Sequence, residues 1–103
     1  MVRIVAILRP YRLKDVLQKL QGQPSIHQMH FQEVRGYGRQ KDHLDDYSGD
    51  DAGLAFLPKI RLELLVDELF SEQVVESIAS GARTGRIGDG KIFLLQPAAV
   101  FGV

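Results

Sequence analysis

The 103 residues are the size of one small domain, and with 45% of them hydrophobic they can fill a single core but not a second. Thirteen Lys plus Arg balance thirteen Asp plus Glu, so the formal net charge is zero and no basic run offers a nucleic-acid footprint. Cysteine is absent, which excludes disulfide frameworks, thiol catalysis and cysteine metal sites and fits a cytoplasmic setting. No apolar stretch approaches the roughly 20 residues of a membrane helix, so membrane insertion is not expected. Met1-Val2-Arg3-Ile4 runs straight into a strand without a leader pattern, and the chain is expected to be unprocessed.

Taken in order, residues 2–8 (VRIVAIL) form a short β-branched and aliphatic run closed by Arg9-Pro10, the pattern of a largely buried strand. Leu13, Val16, Leu17 and Leu20 recur at i, i+3, i+4 and i+7, which predicts a helix with one apolar stripe, ending near Gly22 and Pro24. Ile26, Phe31 and Val34 among polar residues predict a second strand that ends near Gly36. Residues 38–55 then carry five Asp (42, 45, 46, 50 and 51) and few aliphatic residues. Nothing there could bury a face, so a long exposed loop is expected, and loops of that length tend to serve a function.

In IRLELLV, Ile60, Leu62, Leu64 and Val66 point one way while Arg61 and Glu63 point the other, which makes a third strand with one core face. Ser71 is the expected N-cap of a helix carrying Val74, Val75, Ile78, Ala79 and Ala82 and ending near Gly85. Residues 85–90 form a glycine-rich loop, Lys91 to Leu95 a fourth strand stopped by Pro97, and residues 97–103 a short C-terminal tail. The order βαβ-loop-βαβ predicts an α+β, ferredoxin-like βαββαβ fold: a four-stranded antiparallel sheet with both helices on one face, in one domain over residues 1–103. If the other face is apolar it needs a partner sheet, and oligomerisation is the simplest source.

Two segments are candidates for chemistry. T-G-R-I-G-D-G-K at residues 84–91 leads from a helix end through glycines into a strand; glycines let backbone N–H groups approach an anion, and Lys91 adds a point charge. It lacks the G-x-x-x-x-G-K-S/T spacing of a phosphate-binding loop of hydrolases. R-G-Y-G-R-Q-K at residues 35–41 could face the same ligand if strands two and three are neighbours. Its start matches an RNA-binding consensus, but the aromatic residues that should follow are missing and it lies on the wrong strand.

His27 and His30 differ by an odd number, so on a regular strand they point to opposite faces and cannot share a metal ion. His43 with Asp42, Asp45 and Asp46 fits no calcium-loop spacing. No nucleophile and base pattern is present, so no enzyme activity, no catalytic residue and no metal site are expected.

Four strings, R-P-Y-R-L at residues 9–13, E-V-R-G-Y-G-R-Q-K at 33–41, F-L-P-K at 56–59 and T-G-R-I-G-D-G-K-I-F at 84–93, together resemble the PII signal-transduction family, in its order and spacing over almost the whole chain. The resemblance implies a homotrimer that binds ATP or ADP in three clefts between subunits, while the 38–55 loop engages a target protein, a membrane transporter or a metabolic enzyme. It implies that the phosphates lie against Gly38, Arg39 and Gln40 and against Gly88, Asp89, Gly90 and Lys91. Ile7, Glu63, Leu65 and Thr84 would surround base and sugar, with His30 beside the base where the family usually has threonine. Mg-ATP would support 2-oxoglutarate binding near Gln40 and Lys59.

Besides His30, three departures from the family pattern matter. Ala52 replaces the loop tyrosine that is uridylylated in some members, and Asp50 replaces a serine phosphorylated in others, so both modifications are expected to be lost; Tyr47 matches a different loop tyrosine. Where the family has two C-terminal arginines this sequence has Gly102 and ends at Val103, from which weaker ATP binding, or a shift toward ADP or AMP, is expected. The alternative is a PII-like trimer responding to another signal, such as a metal, bicarbonate or another nucleotide, and regulating a transporter.

Overall fold

The computed structural model describes residues 1–37 and 56–103. The 38–55 loop, and with it Gly38, Arg39, Gln40, Tyr47, Asp50 and Ala52, lies outside the described residues.

Strand β1 (Val2–Leu8) gives way at Arg9 to one turn of 3-10 helix, Pro10–Arg12, in which Pro10 takes the first position, where a missing N–H costs nothing. Helix α1 (Leu13–Leu20) follows directly and stops two residues before Gly22. Strand β2 is Ile26–Gly36, β3 is Leu57–Val66, helix α2 is Ser71–Ala82 and β4 is Gly90–Leu95. The fold is the expected α+β ferredoxin-like one: an antiparallel sheet in the order β2-β3-β1-β4, with both helices packed on one face.

The core is where the two periodicities meet. Ile4, Ala6 and Leu8 of β1 and Ile60, Leu62, Leu64 and Val66 of β3 alternate onto the helical face, where Val16 and Leu20 of α1 and Val74, Ile78 and Ala82 of α2 close over them. Removing each of the Val, Leu and Ile side chains among them from water stabilises the fold by about 1.5–3 kcal/mol. The helices approach closely because Gly81 of α2 lies against the backbone of Val16. Arg12 adds a bond across the same junction, its Nε donating to the Gly81 carbonyl at 2.9 Å.

Two expectations need correction. Ser71 is not an N-cap: a 3-10 turn, Glu68–Phe70, leads into α2, Phe70 takes the cap position, and the Ser71 hydroxyl donates backward to the Glu68 carbonyl at 2.9 Å. Ser71 already has helical backbone angles (φ −62°, ψ −40°), whereas an N-cap residue is extended, so its hydroxyl is turned back to Glu68 and not over the first turn. Strand β2 is also not regular, for its pairing with β3 shifts between Ile26 and Gln28, and His27 sits at that irregularity. The even-odd argument therefore does not hold for His27. Its Nε2 lies 2.7 Å from an Asp67 carboxylate oxygen, while the His30 Nε2 lies 3.4 Å from Glu63, so the two histidines have different acidic partners. Among the described residues no group of three or more His, Asp or Glu side chains could hold a metal ion, and no helix is long and apolar enough to cross a membrane.

Candidate functional site

The face of the sheet away from the helices is ordered by cross-strand register. One row runs Gln32, Arg61, Ile7, Lys91 from β2 to β4; the next runs His30, Glu63, Val5, Phe93; the third runs Gln28, Leu65, Arg3, Leu95. Residues directly opposite one another on neighbouring strands share a face, so Ile7 stands between two cations, with Lys59 one alternation further along β3. Glu63 is bonded on both sides. Arg61 Nη2 lies 2.8 Å from one carboxylate oxygen and His30 Nε2 3.4 Å from the other. Phe93 and Leu95 are exposed on this face, 49% and 40% respectively, next to the half-buried Ile7 and Leu65. The face left open by the helices is therefore mixed, with exposed apolar side chains among polar and charged ones.

The glycine-rich turn sits at the end of this face where β1 finishes and β4 begins, with Gly90 paired to Leu8. Its shape depends on two kinds of residue. Gly90 has φ +148°, and a Cβ there would stand 2.2 Å from the Ile7 carbonyl oxygen, so only glycine lets β4 start this close to β1. Asp89 supplies the second constraint by turning its carboxylate back into the turn. It accepts from the Thr84 hydroxyl, from the Thr84 N–H at 2.7 Å, from the Gly85 N–H at 3.1 Å and from Arg9 Nε at 3.4 Å. Arg9, its side chain only 4% exposed, also donates through Nη2 to the Ile87 carbonyl at 2.9 Å. Burial pushes the Asp89 carboxyl up, but the bonds from the Thr84 side chain and N–H, the Gly85 N–H and Arg9 outweigh it and hold the group below its ordinary value.

The ten described residues of the predicted site fall into two groups. Ile7 and Lys91 lie beside the turn formed by Thr84, Gly88, Asp89 and Gly90, at the Leu8 end of β1, and Lys59, next to Ile60 on β3, lies toward the same end of the sheet. His30 and Glu63 lie one row away, and Leu65 lies opposite Arg3, four residues along β1 from Ile7 and so about 13 Å distant at the strand rise. A single chain does not bring Leu65 to the turn.

The edge of the site toward residues 38–55 is framed by paired ends: Gly36 stands opposite Leu57, and the Tyr37 and Phe56 rings lie 6.0 Å apart at 47°. At the turn itself, Lys91 directly after a glycine-rich run is an arrangement that suits an anion.

The family described as Nitrogen regulatory protein P-II matches residues 1–102. The chain belongs to the P-II family. A Nitrogen regulatory protein P-II of Pasteurella multocida is 44% identical over 103 residues, covering 100% of this chain and 91% of its own. A protein of the same name from Haemophilus influenzae is 44% identical over 94 residues, 91% of this chain and 83% of its own. Nitrogen regulatory protein P-II 1 of Escherichia coli K12 is 40% identical over 103 residues, 100% of this chain and 91% of its own. Membership of the P-II family makes the chain a signal-transduction regulator.

Two residues beside the candidate site carry no role in the sequence analysis. Arg61 faces away from the core, and its bond to Glu63 follows from the same alternation in IRLELLV that puts both side chains on one face. Arg9 could not be connected to the turn in advance, because the contact spans 78 and 80 positions and needs β1 and β4 to be neighbours.

Proposed function

We propose that this P-II family member is a non-enzymatic sensor of adenine nucleotides that works as a cytoplasmic homotrimer. ATP or ADP would lie with its phosphates against Gly88, Gly90 and Lys91, joined by Gly38, Arg39 and Gln40. Base and sugar would lie near Ile7 and Thr84, with His30, Glu63 and Leu65 supplied across a subunit boundary. The observation that carries this reading is the register of Lys91 beside Ile7 directly after the glycine turn, which sets a cation and an apolar contact at one anion-binding end of the sheet.

The trimer draws support from the exposed apolar residues of the open face, and the boundary-spanning cleft from the distance between Leu65 and the turn. Mg with ATP would favour 2-oxoglutarate beside Gln40 and Lys59. Residues 38–55 would engage a target transporter or enzyme, and nucleotide state would bias that segment through differential affinity for two forms.

Isothermal titration with ATP, ADP and AMP, each with Mg, followed by 2-oxoglutarate into the ATP-loaded protein, tests the reading. Saturable binding of ATP or ADP is expected; heat no different from buffer for all three nucleotides would remove it.

A further inference from the structure

The glycine turn contains its own anchor, a half-buried carboxylate held by a buried arginine. A loop that cradles an anion through backbone N–H groups works only if its dihedrals are set before the ligand arrives; otherwise binding must also order the chain. Here the Asp89 carboxylate faces inward, away from the role of ligand contact, and its oxygens are taken up by the Thr84 hydroxyl, the Thr84 and Gly85 N–H groups and Arg9. Thr84 in turn spends its hydroxyl proton on Asp89, and its oxygen accepts from the Arg86 N–H at 3.3 Å. Arg9 comes from the end of β1, so the same guanidinium that holds Asp89 also holds the Ile87 carbonyl and ties the turn to the central sheet.

We infer that Asp89 is a positioning residue rather than a ligand contact: with Thr84 and Arg9 it fixes the 84–90 turn in the shape that Lys91 and the backbone N–H groups need to hold a phosphate. This rests on the nucleotide reading above. An inward carboxylate is also the arrangement that costs a phosphate site least, since a carboxylate facing the ligand would repel it. The anchor therefore separates two tasks that a motif of adjacent residues would otherwise merge: Asp89 shapes the loop, and Lys91 supplies the charge.

The test combines backbone amide hydrogen exchange by NMR with titration of ADP and Mg-ATP, on the wild type, Asp89→Asn, Thr84→Val, Thr84→Ser and Lys91→Ala. The anchor predicts faster exchange at Thr84 and Gly85 in Asp89→Asn and Thr84→Val, with nucleotide affinity reduced about tenfold or more, the cost of ordering even one residue on binding. Thr84→Ser, which keeps the hydroxyl, restores both, and Lys91→Ala loses affinity with exchange at Thr84 and Gly85 unchanged. Unchanged exchange in both anchor variants overturns the anchor, and full affinity despite fast exchange overturns its link to binding. A wild type that binds neither nucleotide removes the nucleotide reading and the link with it, a result read from the wild type alone and separate from the exchange arm. The Thr84 pair keeps the test decisive if Asp89→Asn fails to fold.

Discussion

Gly81 of α2 lies so close to Val16 of α1 that a Cβ on Gly81 would stand 2.7 Å from the Val16 Cα and 2.9 Å from its backbone nitrogen. Both atoms are backbone and cannot rotate away. Gly81→Ala should gain about 1 kcal/mol of helix propensity but lose roughly 1–3 kcal/mol or more by forcing the helices apart. A net loss of 1 kcal/mol lowers the thermal midpoint by about 4–8 °C in a domain of this size. A midpoint equal to or above wild type in a melting experiment would show that the helices can separate freely.

Gly90→Ala places a side chain against the Ile7 carbonyl oxygen in a backbone conformation that L residues rarely adopt. The start of β4 should detach from Leu8, lowering stability by roughly 1–3 kcal/mol and weakening ADP binding through displacement of the neighbouring Lys91. Chemical denaturation and ADP titration check the two effects separately.

Acid should loosen the turn in a way that traces to one carboxylate. The folded pKa of Asp89 is lowered, so its contribution to stability is present above the unfolded value near 3.9 and is lost as pH falls through the folded value. The groups facing it are the Arg9 guanidinium, which stays charged, and the non-titrating donors of Thr84 and Gly85. The stability difference between wild type and Asp89→Asn should therefore be constant near neutral pH and shrink below about pH 4. Urea melts across pH 2–7 read this difference; a gap that widens toward acid would contradict the assignment.

Lys91→Ala should lower affinity for ATP and ADP by about tenfold or more, the worth of a charge-assisted bond to phosphate, while leaving the elution volume in size-exclusion chromatography unchanged. Undiminished affinity would count against the cleft at the β4 start.

Leu62→Ala tests the core. Leu62 is fully buried at the centre of β3, between Ala6 of β1 and Phe31 of β2, and its truncation should cost about 2–5 kcal/mol without altering the open face. Circular dichroism melts give the first quantity and nucleotide titration the second.

Most of the architecture was legible locally, because each element carries its own period. The alternation in IRLELLV and the 3.6-residue spacing of Leu13, Val16, Leu17 and Leu20 needed no partner to be read. The boundaries were less so: Pro10–Arg12 and Glu68–Phe70 are short 3-10 turns without a period of their own, and the second of them took the cap position from Ser71.

The sequence by itself determined the βαββαβ order, the core face of each helix and of β3, and the glycine turn before Lys91, since these depend on residue type and spacing within a few positions. The tertiary structure decided which residues meet across strands: Lys91 beside Ile7, Glu63 between His30 and Arg61, and Arg9 on Asp89. Those pairings join segments up to 84 positions apart, and they exist only once register and strand order place β1 between β3 and β4.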